Sequence, residues 1–170
     1  MARTKCEMQA PQKEINTMKR VAALALIFLG FVLGNDFSYA QHFSEPKGTP
    51  YWVDFVGTRF LVFGEPASVG DEIGVFTEAG ILCGSFTVKN EGQYGSLHVY
   101  GDDPTTEEIE GALPNDRLIF KVWKEEQRIE IEVSDGQMEP CSIGSVRQPE
   151  LPIVWTQARD RFGLNIDIKR

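Results

Sequence analysis

Histidine and cysteine are scarce in this chain, and their scarcity removes support for several classes of enzyme. The 170 residues include two histidines and three cysteines, and no two cysteines form a CxxC pair. The sequence also contains no HExxH motif, no GxSxG elbow and no glycine-rich phosphate loop. Zinc-protease, α/β-hydrolase and nucleotide-binding chemistry each need one of these patterns. We therefore expect a protein that is not an enzyme.

The sequence also lacks an apolar run long enough to span a membrane. The longest run, residues 21–34, is shorter than the ~20 residues that a spanning helix needs. It follows two cationic residues and is followed by a small-x-small end at Ala40, which is the layout of a secretory signal peptide. We predict a leader with a signal-peptide helix over residues 1–40, cleaved after Ala40, and a single domain over residues 41–170. The alternative is an uncleaved anchor.

Positive charge is in deficit. The chain has a net charge of −8, and residues 1–40 carry a small cationic excess, so the remaining domain is more acidic than the whole. Such a surface disfavours nucleic acid and anionic membranes as partners. We expect a protein or polysaccharide partner on a surface, no membrane span after cleavage, and a secreted, periplasmic or cell-surface location.

Removal of the leader takes Cys6 with it and leaves Cys83 and Cys141. In an oxidising compartment, two remaining cysteines most simply form a disulfide. Closing so long a loop would stabilise the fold by about 4 kcal/mol. A Cys83–Cys141 disulfide is therefore predicted, with free, partly buried thiols as the alternative.

Helical periodicity is missing over every long window after residue 40, whereas short β-rich runs recur. The runs are rich in Val, Ile, Phe and Tyr and are bounded by Gly, Pro and Asn, which is typical of strands. The predicted strands are 51–56, 59–63, 71–77, 80–88, 93–100, 118–124, 128–133, 151–155 and 164–168. This pattern predicts an all-β fold, an antiparallel β-sandwich of immunoglobulin-like or jelly-roll-like type. The loop 101–114 is expected to hold one short helical turn near residues 105–110.

Two stretches of sequence carry a resemblance to a known kind of module. They read VGDEIGVFTEAGILCGSFTV from Val69, and then GQYGSLHVYGDDPTTEEIEGALPNDRLIFKVW as far as Trp123. This pattern resembles a β-sandwich module that recurs in exported bacterial proteins, with a GDEIGVF hairpin, a GDDPTT loop and an FKVW strand. The resemblance implies a β-sandwich fold, an exported location and a role in attachment or surface display. It implies no catalytic residue.

The acidic loop contains the candidate metal ligands. Asp102, Asp103 and Glu107 lie close together in sequence, and carboxylates in a loop are the ligands that Ca²⁺ prefers. The alternative is that these carboxylates cap loop amides and remain solvated. No other cofactor is expected.

Aromatic side chains supply the candidate ligand-binding residues. Strand alternation places Tyr94, His98 and Tyr100 on one face of their strand, opposite Leu97 and Val99. Trp123 lies on the mixed face of its own strand and is the best candidate for an exposed ring. The alternative is that these rings fill the core or belong to an ordinary solvated face.

These observations predict a non-catalytic extracytoplasmic module that mediates binding or adhesion. The first alternative is a carbohydrate-binding domain that uses Tyr94, Tyr100 and Trp123. A small hydrolase that combines the loop acids with His98 is the third interpretation.

Overall fold

The computed structural model describes residues 41–156 and 159–170, and the predicted leader lies outside them. Within these ranges the protein is all-β, with a single 3₁₀ turn at Asp135–Gln137 and no α-helix. None of the described helical segments is long and apolar enough to cross a membrane. The strands are β1 (Trp52–Gly57), β2 (Phe60–Val62), β3 (Glu65–Pro66), β4 (Glu72–Thr77), β5 (Leu82–Thr87), β6 (Tyr94–Tyr100), β7 (Leu118–Lys124), β8 (Ile129–Val133), β9 (Met138–Cys141) and β10 (Arg161–Ile168).

Six of these strands form the large sheet, in which hydrogen-bonded neighbours follow the path β3-β2-β10-β1-β6 and β9 also pairs with β10. The last strand, β10, is parallel to both β1 and β2. The expectation of a purely antiparallel sandwich is therefore wrong for this sheet. Parallel neighbours need a long crossover connection, and most of the chain lies between β2 and β10.

The small sheet contains the other four strands in the order β5-β4-β7-β8, and all of its pairs are antiparallel. The inward-facing residues of both sheets form one core. Phe55 of the large sheet meets Phe120 of the small sheet edge to face, with ring centroids 5.4 Å apart and an interplanar angle of 89°. Two sheets packed through such a core confirm the coarse prediction of an all-β, two-sheet fold.

The segment 151–155 is not a strand, contrary to the prediction. Pro149 and Pro152 have no N–H to donate to a ladder, and the segment makes only an isolated bridge, between Val154 and Arg117. It is held instead by single backbone hydrogen bonds to the first residue of β7 and to the residues just before that strand, and Trp155 is buried in the core.

The predicted helical turn near residues 105–110 is also wrong, because the structure has non-helical turns and bends there. The side chain of Asp103 accepts hydrogen bonds from both the N–H and the hydroxyl of Thr105. Such local side-chain bonds compete with helix formation. The ends of the loop are tied together by backbone hydrogen bonds of Ala112 with Tyr100 and Asp102.

The predicted disulfide does not form. Cys83 and Cys141 are both free thiols, and they belong to β5 and β9, which lie in different sheets and do not pair. Burial raises the pKa of Cys83 to about 12, and desolvation also raises the pKa of Cys141. Because the thiolate is the reactive form, both groups are poor nucleophiles at neutral pH.

Candidate functional site

A row of charged side chains crosses three neighbouring strands on the outer face of the large sheet. The register places Asp54 of β1 directly opposite His98 of β6 on one side and Arg161 of β10 on the other. The Asp54 side chain is 5% exposed, whereas His98 and Arg161 are 45% and 53% exposed. A buried carboxylate therefore lies between two cationic or ionisable side chains that reach the solvent.

The contacts of Asp54 orient both neighbours. Its Oδ1 lies 2.5 Å from Nδ1 of His98, and its Oδ2 accepts a hydrogen bond from Nη2 of Arg161 at 3.3 Å. The Oδ1 contact lacks hydrogen-bond alignment, and this oxygen has no hydrogen-bond partner among the residues that the structure describes. Because the carboxylate lies beside Nδ1, the ring nitrogen Nε2 of His98 is the one left for another molecule.

Two aromatic residues flank this row. Trp52 of β1 lies opposite Tyr100 of β6, one step along the same face. The Trp52 ring meets His98 edge to face with centroids 5.2 Å apart, and the centroids of His98 and Tyr100 are 6.2 Å apart. Together the five residues form what we call the outer-face cluster: Trp52, Asp54, His98, Tyr100 and Arg161.

Tyr94 does not belong to this cluster, although strand alternation placed it there. Phe55 of β1 pairs with Leu97 of β6, whereas Gly57 pairs with Tyr94, so two residues of β6, Gly95 and Ser96, lie opposite one residue of β1. This is a β-bulge, and Ser96 has a φ of 54°. Because β6 has one extra residue here, the side chains that precede the bulge point to the opposite face from the one that regular alternation predicts. Tyr94 is consequently buried in the core, and its hydroxyl donates to the carbonyl of Leu164 at 2.6 Å. Burial raises its pKa.

Trp123 lies on the outer face of the small sheet, and the expectation that its ring is exposed is wrong. It is 9% exposed because the ring of His42 stacks on it, with centroids 3.8 Å apart and planes within 4°. Its Nε1 donates to Glu125 at 2.7 Å. Trp123 is thus covered by the chain itself and is separate from the outer-face cluster.

The covering segment, residues 41–47, is called the N-terminal strap below. The carboxylate of Glu72, itself 1% exposed, accepts the backbone N–H groups of His42 and Phe43 at 2.8 and 3.0 Å. The ring of Phe43 is buried over Gly74 and meets Phe76 edge to face. A side chain on Gly74 would overlap Phe43, so this glycine makes room for the strap.

The carboxylates proposed to bind Ca²⁺ take part in the hydrogen bonding of their own loop. Asp102 accepts the N–H of Glu110, and Asp103 accepts from Thr105. Glu107 is exposed. In the described ranges no three His, Cys, Asp or Glu side chains are grouped as a metal site would require. The Ca²⁺ site stays a prediction.

The carboxylate partner of His98 is Asp54, not one of the loop acids that the hydrolase interpretation invoked. Sequence reasoning found His98 and Tyr100 but missed Asp54, Arg161 and Glu72. One signal was available for Asp54, because it is a charged residue inside the apolar run YWVDFV. A charge in such a run predicts a specific partner, since an unpaired buried charge is unfavourable.

The ion pair between the strap and the acidic loop predicts a defined pH window. Nζ of Lys47 lies 2.7 Å from Oε1 of Glu110, and this contact, with a hydrogen bond from Thr106, lowers the pKa of Glu110. The same contact raises the pKa of Lys47. A lowered acid pKa adds stability above the ordinary value of about 4.3, and this is lost as the pH falls through the folded-state pKa. A raised lysine pKa adds stability below about 10.4, and this is lost as the pH rises through the folded-state pKa.

We therefore expect the midpoint of thermal unfolding to decrease at low pH and at high pH. In the Glu110→Gln variant this decrease should be smaller on both the acid and the alkaline side than in the parent protein. Thermal unfolding followed by circular dichroism at each pH measures both limbs. Glu107→Gln is the matched control and should keep the parent profile. Identical profiles for Glu110→Gln and the parent protein would show that the pair does not contribute.

In comparisons with known proteins, no protein-family model, no curated protein and no solved structure matched this chain. We therefore infer its function from the geometry of the outer-face cluster and from the residues of the sequence.

Proposed function

We propose that this chain is a non-catalytic extracytoplasmic module of a bacterial secreted or surface protein, and that it binds or adheres to a protein or polysaccharide on a surface. The export leader predicted over residues 1–40 and the acidic composition support the location and the class of partner. The two-sheet architecture supports a β-sandwich scaffold of the kind that the resemblance implies, and the immunoglobulin-like or jelly-roll-like type stays a prediction.

The observation that carries this proposal is the outer-face cluster. Trp52 and Tyr100 are partly exposed rings on paired strands, and the exposed His98 and Arg161 are oriented by one buried carboxylate. Aromatic and arginine side chains are the residues that dominate binding energy at interfaces. Because β-strands and Asp54 hold these groups in place before a partner arrives, little side-chain entropy is lost on binding.

Two positive features support binding rather than catalysis. The loop carboxylates Asp102 and Asp103 are occupied by hydrogen bonds within their own loop. The raised pKa values of Cys83 and Cys141 keep both thiols protonated. These loop carboxylates and thiols are thus poor candidates for an acid, a base or a nucleophile.

Replacement of both Trp52 and Tyr100 by alanine tests the proposal. We expect the labelled wild-type protein to be retained on whole cells of the source organism. The amount of double variant retained should be lower by about tenfold or more, because exposed aromatic anchors carry the largest share of binding energy. Flow cytometry measures the retention.

Phe63→Ala is the matched control, because Phe63 is a partly exposed aromatic in the turn between β2 and β3, outside the cluster. It should bind as the wild type does. A folded double variant that is retained as strongly as the wild type would reject the outer-face cluster as the binding surface.

A further inference from the structure

A polar groove adjoins the outer-face cluster, at the place where the edges of the two sheets meet. The backbone of β5 at Gly84 packs directly against the backbone of β6 at His98, so a side chain at Gly84 would overlap the His98 carbonyl. The groove has a volume of about 360 Å³. This volume falls in the range of about 300–1,000 Å³ that is typical of small-ligand pockets.

Both sheets and the N-terminal strap contribute to the groove. Ser96, His98 and Tyr100 come from β6, and Ser85 comes from β5. Gln41 and Glu45 of the strap also line it. The groove is therefore complete only while the strap is docked.

The chemistry of these side chains selects one class of ligand. Two hydroxyls, an amide, a carboxylate and an imidazole supply both hydrogen-bond donors and acceptors beside a tyrosine ring. The hydroxyl groups of a sugar need donors and acceptors together, and the C–H face of its ring packs on an aromatic surface. Glu45 and the acidic surface of the protein disfavour an anionic ligand.

We propose that this groove binds a neutral, hydroxyl-rich glycan, with a sugar ring on Tyr100 and its hydroxyls bonded to His98 and to Glu45. The inference rests on the proposed binding function and adds the ligand class, the position of the ligand and the role of the strap.

The strap allows the inference to be tested with a substitution at a residue that does not line the groove. Phe43 is buried on Gly74 of the small sheet and is not a lining residue of the groove. Its replacement by alanine removes the buried apolar anchor of the strap and leaves the stack of His42 on Trp123 and the hydrogen bonds to Glu72. We expect this loss to loosen the part of the strap that carries Gln41 and Glu45. Glycan affinity should fall for this variant as it does for Tyr100→Ala.

The experiment begins with an array of neutral and anionic oligosaccharides probed with the wild-type protein. The neutral oligosaccharide that gives the strongest signal is then titrated by calorimetry into the wild type and four variants. We expect the affinity to fall at least tenfold for Tyr100→Ala and Phe43→Ala and several-fold for Glu45→Ala. The control Phe63→Ala should stay within twofold of the wild type. Glu45 is exposed, so Glu45→Ala keeps the strap testable if Phe43→Ala does not fold.

The outcomes separate this inference from the proposed function. Binding only to anionic glycans, or to none, overturns the ligand class, while retention on whole cells independently decides whether the outer-face cluster binds a partner. Sensitivity to Tyr100→Ala without sensitivity to Phe43→Ala and Glu45→Ala places the ligand on the open sheet face and overturns the groove. Affinity unchanged in every folded variant rejects the groove as the glycan site.

Discussion

Replacing Asp71 by alanine should lower the free energy of unfolding by about 3–5 kcal/mol, because it leaves a buried lysine without its partner. The side chains of Asp71 and Lys124 are only 1% and 6% exposed, and Nζ of Lys124 lies 2.8 Å from Oδ2 of Asp71. The same carboxylate accepts the backbone N–H groups of Ser68 and Glu125, at 2.8 and 3.0 Å. One substitution thus leaves two backbone donors without an acceptor, and it leaves the buried cation with the neutral hydroxyl of Ser68, at 3.2 Å, in place of a carboxylate. Chemical denaturation monitored by tryptophan fluorescence measures the loss.

The double variant Asp71→Ala/Lys124→Met is the matched control for this prediction. Replacing a buried ion pair by apolar groups is often neutral or stabilising, whereas removing one partner is not. We therefore expect the double variant to be more stable than the single variant. A single variant within about 1 kcal/mol of the parent protein would contradict the prediction, since it would mean that Lys124 finds another partner or reaches water.

Replacing Phe120 by alanine should also lower the free energy of unfolding by about 3–5 kcal/mol, because it opens a cavity between the two sheets. Phe120 is fully buried and its ring meets that of Phe55 across the core. The same chemical denaturation experiment measures the effect.

Ile129→Ala is the control for the Phe120 variant, because Ile129 lies on the neighbouring strand β8 and is 38% exposed. A surface substitution of this kind usually changes stability by no more than about 0.5 kcal/mol. If Phe120→Ala destabilised the protein no more than Ile129→Ala, the packing of the two sheets through Phe120 would be refuted.

Local sequence pattern predicted most strands well. The run 118–124 matches β7 at both ends, and the turn at Glu78-Ala79-Gly80 joins the antiparallel pair β4 and β5, with Gly80 at φ 83°. The last strand begins at Arg161, three residues before the predicted start. The short strands β3 and β9 were missed, because each includes a proline and neither has a clear alternation.

The candidate site was less predictable, because a β-bulge and a segment that is distant in sequence both changed which residues belong to it. The bulge at Gly95 and Ser96 turned Tyr94 into the core. The strap covered Trp123, which the alternation of β7 had correctly placed on the outer face. The sequences of β6 and β7 contain no signal of these effects. The bulge depends on how β6 pairs with β1, and the burial of Trp123 depends on contacts with residues about eighty positions earlier in the chain.

Most strands of this protein, and the inward-facing residues of each regular strand, follow from the sequence alone, because alternation is a property of a few consecutive residues. The row of Asp54, His98 and Arg161, and the parallel pairing of β10 with β1 and β2, depend instead on the complete fold. The physical reason is that these three residues are brought together by strand register, which depends on how the whole core packs and not on any short stretch of the chain.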